Sequence, residues 1–183
     1  MSDDEEQARL TIPVGPDDHV RGPADAPVTL VEYGDFECPY CGAAEPAVEA
    51  LARRYPKQLR VVFRSFPLEQ HTHAEKAAEA AEFAADHGKF WEFHDLLYRH
   101  QNALDVNHLI DYAKQVGLDG DALATALREG TYAPVIAEVK EGGEDSGIPG
   151  TPAFFLNGLL YEDEPTQANL AHAIDYLLKH GHA

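Results

Sequence analysis

Cys38 and Cys41 are the only cysteines of the chain, and they stand three residues apart in Cys38-Pro39-Tyr40-Cys41, directly behind an apolar run. A disulfide between them would close a ring too small to restrain the unfolded chain much, so the pair is poorly suited to stapling a fold. A dithiol that opens and closes is the better chemistry. Two thiolates at this spacing also make half of a zinc site, which His71 and His73 would complete if they converged on the pair. Inert buried thiols are the third possibility.

The elements that must position the pair can be read around it. Val28 to Tyr33 mixes β-branched and aromatic residues and reads as a strand that Gly34-Asp35 ends. Behind the cysteines, Ala43, Ala44, Ala47, Val48 and Leu51 recur at helical spacing up to Tyr55-Pro56. Cys38 is thus expected at a helix N-terminus, where free N–H groups and the helix dipole favour a thiolate. Pro39 suits the first turn because it has no N–H to leave unpaired. In this scheme Cys38 attacks and is the exposed thiol, and Cys41, one turn further in, resolves the mixed disulfide.

Leu59 to Phe66 supplies the next strand, so strand, helix and strand follow in the order of a parallel right-handed crossover. From about residue 70 to 146 the pattern is helical throughout, with Gly88, Gly117 and Gly130 as stops and Asp105 and Asp119 or Asp121 as caps. Gly142-Gly143 is expected to weaken the end of this block. Strands return at Ala153 to Leu156 and Leu159 to Tyr161 around the hairpin signal Asn157-Gly158, and a last helix begins after Thr166. The domain organisation expected is a polar arm over residues 1–26, with at most a short strand near Thr11 to Val14, and one domain over 27–183.

With 183 residues and 44% hydrophobic content, a single core should bury roughly 70% of the unfolded-chain surface. The net charge of −18, from 32 acidic against 14 basic residues, argues against nucleic acid or an anionic membrane as partner. The acidic start, Met1 to Glu6, is unlike a signal peptide, and no apolar run reaches membrane length, so neither export nor membrane insertion is expected. The expected location is the cytoplasm, or an exported one if a leader has been removed. In a reducing cytosol a catalytic or metal-binding pair is more plausible than a static disulfide.

The segment APVTLVEYGDFECPYCG, ending at Gly42, together with Gly150-Thr151-Pro152-Ala153-Phe154-Phe155-Leu156-Asn157-Gly158, resembles the bacterial DsbA-like branch of the thioredoxin superfamily. It also resembles the thioredoxin-like domains attached to some bacterial sodium/proton antiporters. The resemblance implies an α/β thioredoxin fold, a mixed central sheet flanked by helices with an all-helical insertion, and a thiol-disulfide oxidoreductase needing no cofactor or metal. Its substrates would be protein or peptide thiols and disulfides, restored by a redox partner protein or glutathione.

Residue by residue, the resemblance makes Pro152 the cis-proline beside the disulfide and leaves the backbone of Thr151 for substrate docking, with Pro39 and Tyr40 lining the same site. Pro46 matches the proline that kinks the active-site helix. Glu32, six residues before Cys38, matches a buried acid that exchanges a proton with Cys41. An outward-facing glutamate is the alternative that strand alternation permits. Pro39-Tyr40 is also the glutaredoxin dipeptide, which keeps a glutathione-coupled reductase in view. A redox-sensing module whose pair switches a partner's binding is the rival from another class. His71 and His73 are expected to cap the first helix of the insertion, and His94 to be a satisfied core histidine.

Overall fold

The computed structural model describes residues 6–181. Met1 to Glu5, most of the acidic start, and His182 lie outside them. Five strands form one mixed sheet in the order β1-β3-β2-β4-β5. They are β1 (His19–Arg21), β2 (Val28–Gly34), β3 (Leu59–Ser65), β4 (Ala153–Leu156) and β5 (Leu159–Leu160). The helices are α1 (Pro39–Arg54), α2 (Ala74–Asp86), α3 (Phe90–Arg99), α4 (Val106–Gln115), α5 (Gly120–Glu129), α6 (Ala133–Asp145) and α7 (Gln167–His180).

Central strand β2 pairs in parallel with β3 and antiparallel with β4, which explains why all of it but Thr29 is buried. Its even positions Val28 and Leu30 pack with Val48 and Leu51 of α1 and Leu170 and Ile174 of α7. Its odd positions Val31 and Tyr33 pack on the other face with Phe66, Phe155 and Val139. Period-2 alternation therefore puts Glu32 on the α1 side of the sheet.

The helices α2 to α6 lie between β3 and β4 in sequence and close over their own core, with Ala77, Ala81, Phe93, Leu97, Leu109 and Leu123 all buried together. This is the thioredoxin fold with a helical insertion. Asp119 caps α5 by accepting from the N–H groups of Asp121 and Ala122, and Thr166 caps α7 through Asn169 N–H. Asp105 occupies the N-cap of α4 without a side-chain cap bond and pairs instead with His108. The β4–β5 turn follows its sequence signal, with Asn157 and Gly158 at φ of 46° and 86°.

One expectation about the periphery is corrected. No strand forms at Thr11 to Val14; the strand of the arm is β1, antiparallel to β3 with His19 opposite Phe63. Pro13 has no N–H for a ladder, and Thr11 N–H donates to Ser146 Oγ at 3.1 Å instead. The buried Arg64 guanidinium then pins the arm, donating to Asp18 at 2.8 Å and to Ile12 O at 2.9 Å. Gly142 and Gly143 lie in the last turn of α6, which ends at Asp145. Their bare backbone admits the arm and the core: a Cβ on Gly142 would stand 2.6 Å from Ile12 Cδ1, and one on Gly143 would stand 2.8 Å from Phe66 Cδ2.

Candidate active site

Gly34 ends β2, and the loop Asp35-Phe36-Glu37 turns the chain so that Cys38 becomes the N-cap of α1 with extended backbone (φ −72°, ψ 121°). Pro39 occupies the first turn, as its missing N–H allows. The Cys38 amide donates to Asp35 O, and Cys38 O accepts from Gly42 N–H, both at 3.1 Å. Gln101, at the end of the α3 turn, clamps this corner by donating from Nε2 to Phe36 O at 2.9 Å and to Cys38 O at 2.8 Å. Gly42 leaves the space it needs, because a Cβ there would stand 2.1 Å from Gln101 Oε1.

Both cysteines are free thiols. Cys41 is fully buried and Cys38 keeps 3% of its surface, so the expectation of an exposed Cys38 is corrected to one barely open at its rim. Pro39 and Tyr40 form that rim, with Tyr40 77% exposed. Across from them Cys38 Sγ lies 3.7 Å from Thr151 O, and the Thr151–Pro152 peptide is cis. Ala153, next in the chain, is paired with Tyr33, so the β2–β4 register carries Thr151 to the cysteines.

The two thiols are driven apart in acidity. A hydrogen bond from the Cys41 thiol lowers the Cys38 pKa to about 5 against the burial that would raise it. Thr151 and the N–H groups of Cys41 and Tyr40 assist, and the buried Thr151 hydroxyl has no hydrogen-bond partner. Cys41 is pushed up by the same hydrogen bond, by burial and by the charge of Glu32. One sulfur is thus a stable thiolate at neutral pH, and the other holds its proton.

Glu32 is 1% exposed, and burial, then the nearby Glu45, raise its pKa well above the carboxylate range. Strand alternation alone allowed it to face outward; the packing of α1 and the insertion decides otherwise. His73 occupies the N-cap of α2, but neither His71 nor His73 caps the helix through its side chain. His71 Nδ1 lies 2.7 Å from Asp35 Oδ2, and His73 Nδ1 lies 2.8 Å from Glu37 Oε2, so carboxylates of the active-site loop hold both rings. Among the described residues, no group of three or more His, Cys, Asp or Glu could hold a metal ion.

Sequence reasoning missed Asp35, Gln101, Glu45 and Tyr98, and misjudged His94. Asp35 is buried, donates its N–H to Cys41 Sγ at 3.5 Å and accepts from Glu37 and Leu68 N–H at 2.8 Å. Glu45 follows Cys41 by one turn on the buried face of α1, a helical spacing the sequence does show. His94 is buried, but its Nε2 has no hydrogen-bond partner, nor have Glu32 Oε1, Glu45 Oε2 and the Tyr98 hydroxyl.

A family profile described as thioredoxin matches residues 15–176. Among solved structures, a thioredoxin-like oxidoreductase from Silicibacter pomeroyi DSS-3 is 30% identical with a TM-score of 0.80, covering 90% of this chain and 94% of that one. BdbD from Bacillus subtilis, in its oxidised form, superposes with a TM-score of 0.85 at 22% identity, covering 94% and 97%. Among curated proteins, the Na(+)/H(+) antiporter NhaA 1 of Salinispora arenicola is 52% identical over 151 residues, which are 81% of this chain and 23% of that protein. NhaA 1 of Mycolicibacterium vanbaalenii is 39% identical over 172 residues, 91% of this chain and 28% of that protein. The chain therefore spans about a quarter of the length of these relatives. Among the described residues, no helix is long and apolar enough to cross a membrane.

Proposed function

This chain belongs to the thioredoxin family, and from that premise we propose that it is a DsbA-like thiol-disulfide oxidoreductase that exchanges disulfides with protein or peptide substrates through Cys38-Pro39-Tyr40-Cys41. In the oxidising direction a substrate thiolate attacks Cys38 of the closed disulfide and Cys41 leaves. Glu32, protonated in its buried site, gives that leaving sulfur its proton. A second substrate thiolate then displaces Cys38, which departs as a thiolate and needs no acid. Thr151 docks the substrate backbone beside Pro152, and Pro39 and Tyr40 form the rim it crosses.

The observation that carries this reading is the split acidity of the pair, with Cys38 held near 5 and Cys41 pushed up. A stabilised Cys38 thiolate favours the reduced pair, and therefore donation of the disulfide to substrate. The restoring partner is a redox protein or glutathione, and the equilibrium constant against glutathione measures the preferred direction. Such an oxidant suits an exported setting; in the cytoplasm first expected for this chain, the same pair would be held reduced and would work as a reductase or isomerase. Repeated turnover of a reduced peptide, abolished in Cys38→Ser and arrested as a mixed disulfide in Cys41→Ser, is the expected result. Turnover that survives Cys38→Ser overturns the reading.

The match to about a quarter of the antiporters favours a second reading, a redox-sensing module whose dithiol switches the binding of a partner. A sensor would react once with oxidant and stay oxidised, whereas the enzyme would cycle.

A further inference from the structure

The proton that Glu32 exchanges with Cys41 has to reach water from a fully buried site. Glu32 lies on the sheet face covered by α1, near enough for its charge to act on Cys41 and Tyr98 and for the charge of Glu45 to act on it. Beyond it, Glu45 Oε1 stands 3.5 Å from His94 Nε2, and His94 Nδ1 stands 2.9 Å from Asp95 Oδ1. Asp95 opens on a surface depression lined by Arg21, Glu49, Arg53 and Arg99, which contains none of Cys38, Tyr40 or Thr151.

We propose that Glu45, His94 and Asp95 form a proton path linking Glu32, beneath Cys41, to solvent at this depression, away from the mouth where substrate docks. The path rests on Glu32 acting as the proton donor and acceptor of Cys41.

The protonation states fit one another. Burial, then the charges of Asp95 and Glu49, against the pull of Arg21, raise Glu45 to about 8, so it carries a proton at neutral pH. Burial lowers His94, keeping the ring neutral, with Asp95, Arg21 and Glu49 as the charged groups around it. Asp95, despite burial that would raise it, is kept ionised by the His94 hydrogen bond and by Arg21. A carboxylate only accepts, so His94 Nδ1 carries the ring proton and Nε2 presents its lone pair to the Glu45 acid. Phe36, Phe63, Phe90, Trp91 and Tyr98 surround the ring with aromatic edges and faces, and Glu45 and Asp95 are the carboxyl groups at its two nitrogens.

The balance closes in both directions. When Cys41 attacks a mixed disulfide, its proton goes to Glu32 and on to Glu45, Glu45 passes one to the free Nε2 of His94, and Nδ1 releases its proton through Asp95 to water, leaving the ring with its proton on Nε2. When Cys41 leaves the disulfide, Glu32 gives it a proton, Glu45 reprotonates Glu32, Nε2 passes its proton to Glu45, and Nδ1 takes one from water through Asp95. No electron moves along the path, and over one oxidation and reduction of the pair each residue ends as it began. The 3.5 Å between Glu45 and His94 is long for a hydrogen bond, as such contacts often are before the reacting state tightens them. His94 and Asp95 touch no reacting sulfur and act only through Glu32.

The test is single-turnover reduction of the oxidised full chain by dithiothreitol across about pH 5 to 9, scored by mass-tagging the released Cys41 thiol. Glu32→Gln, Glu45→Gln, His94→Gln and Asp95→Asn should each slow release about tenfold or more near neutral pH and change its solvent deuterium isotope effect. Cys38 should still titrate near 5 in the last three. In the unmodified chain, release should fall as pH rises past about 8, where Glu45 loses its proton, and Glu45→Gln should lose that inflection. Should His94→Gln not fold, Asp95→Asn at its partly exposed position carries the test. Wild-type rate, isotope effect and pH profile in the three path variants, with Glu32→Gln slow, would overturn the path and leave Glu32 standing. Wild-type behaviour of Glu32→Gln overturns both.

Discussion

Asp35 Oδ2 and His71 Nδ1 lie 2.7 Å apart, joining the loop ahead of the redox pair to the approach of the helical insertion. The backbone of the same Asp35 touches both cysteines, accepting from Cys38 N–H and donating to Cys41 Sγ. One buried residue thus fixes the pair, through its backbone, and the approach to the insertion, through its carboxylate, in a common frame.

That contact makes stability depend on pH. His71, despite burial that would lower it, is raised above 6.5 by the hydrogen bond and charge of Asp35. Its contribution is complete below the unfolded value and is lost as pH rises through the folded one. Urea unfolding of the reduced protein at a series of pH values should show this loss, and His71→Gln should remove it. An unchanged slope in His71→Gln would show that the ring contributes nothing.

Cys38 has the opposite sign. Its value falls from 9.0 to about 5 on folding, so the reduced protein gains stability as pH rises between the two, and loses that gain as pH drops through 5. Iodoacetamide should label Cys38 with a midpoint near 5 while Cys41 stays unreactive. A midpoint near 9 would remove the basis for an oxidising pair.

The Thr151 hydroxyl is buried without a hydrogen-bond partner, and its side chain helps to lower the Cys38 pKa. Thr151→Val keeps the shape and deletes the donor, which should raise the Cys38 midpoint by about 1 unit, the worth of one hydrogen bond. The shift is read from the same alkylation curve, and its absence would assign the low value to Cys41 and the helix start alone.

Gln101 and Gly42 should act as one unit. Gln101→Ala deletes two donors to the active-site corner and should cost about 1–3 kcal/mol. Gly42→Ala places a Cβ where the Gln101 amide stands and should displace it, so the double variant should be little worse than the worse single one. Additive losses in chemical denaturation would show that the two do not share the corner.

The chain's order of elements was legible because each rests on neighbours in sequence. Val28 to Tyr33, the α1 periodicity and Asn157-Gly158 carry their own local signals, and Cys38 at a helix start follows from them. β1 was not legible, since three residues among Pro, Gly and Asp become a strand only because the edge of β3 needs a partner. The glycines of α6 read only as weakening a helix end, because their close approach to Ile12 and Phe66 involves segments distant along the chain.

By itself the sequence determined the chemistry: two thiols at one spacing, a proline in the first turn, an acid six residues before and Thr151-Pro152 far downstream. Only the tertiary structure decided how that chemistry is tuned. It buried Glu32, set Thr151 against Cys38, tied His71 to Asp35 and brought His94 of the insertion to Glu45 of α1. The physical reason is that hydrogen-bond spacing and helix periodicity are local, whereas desolvation and Coulomb interactions depend on what the whole chain packs around a group.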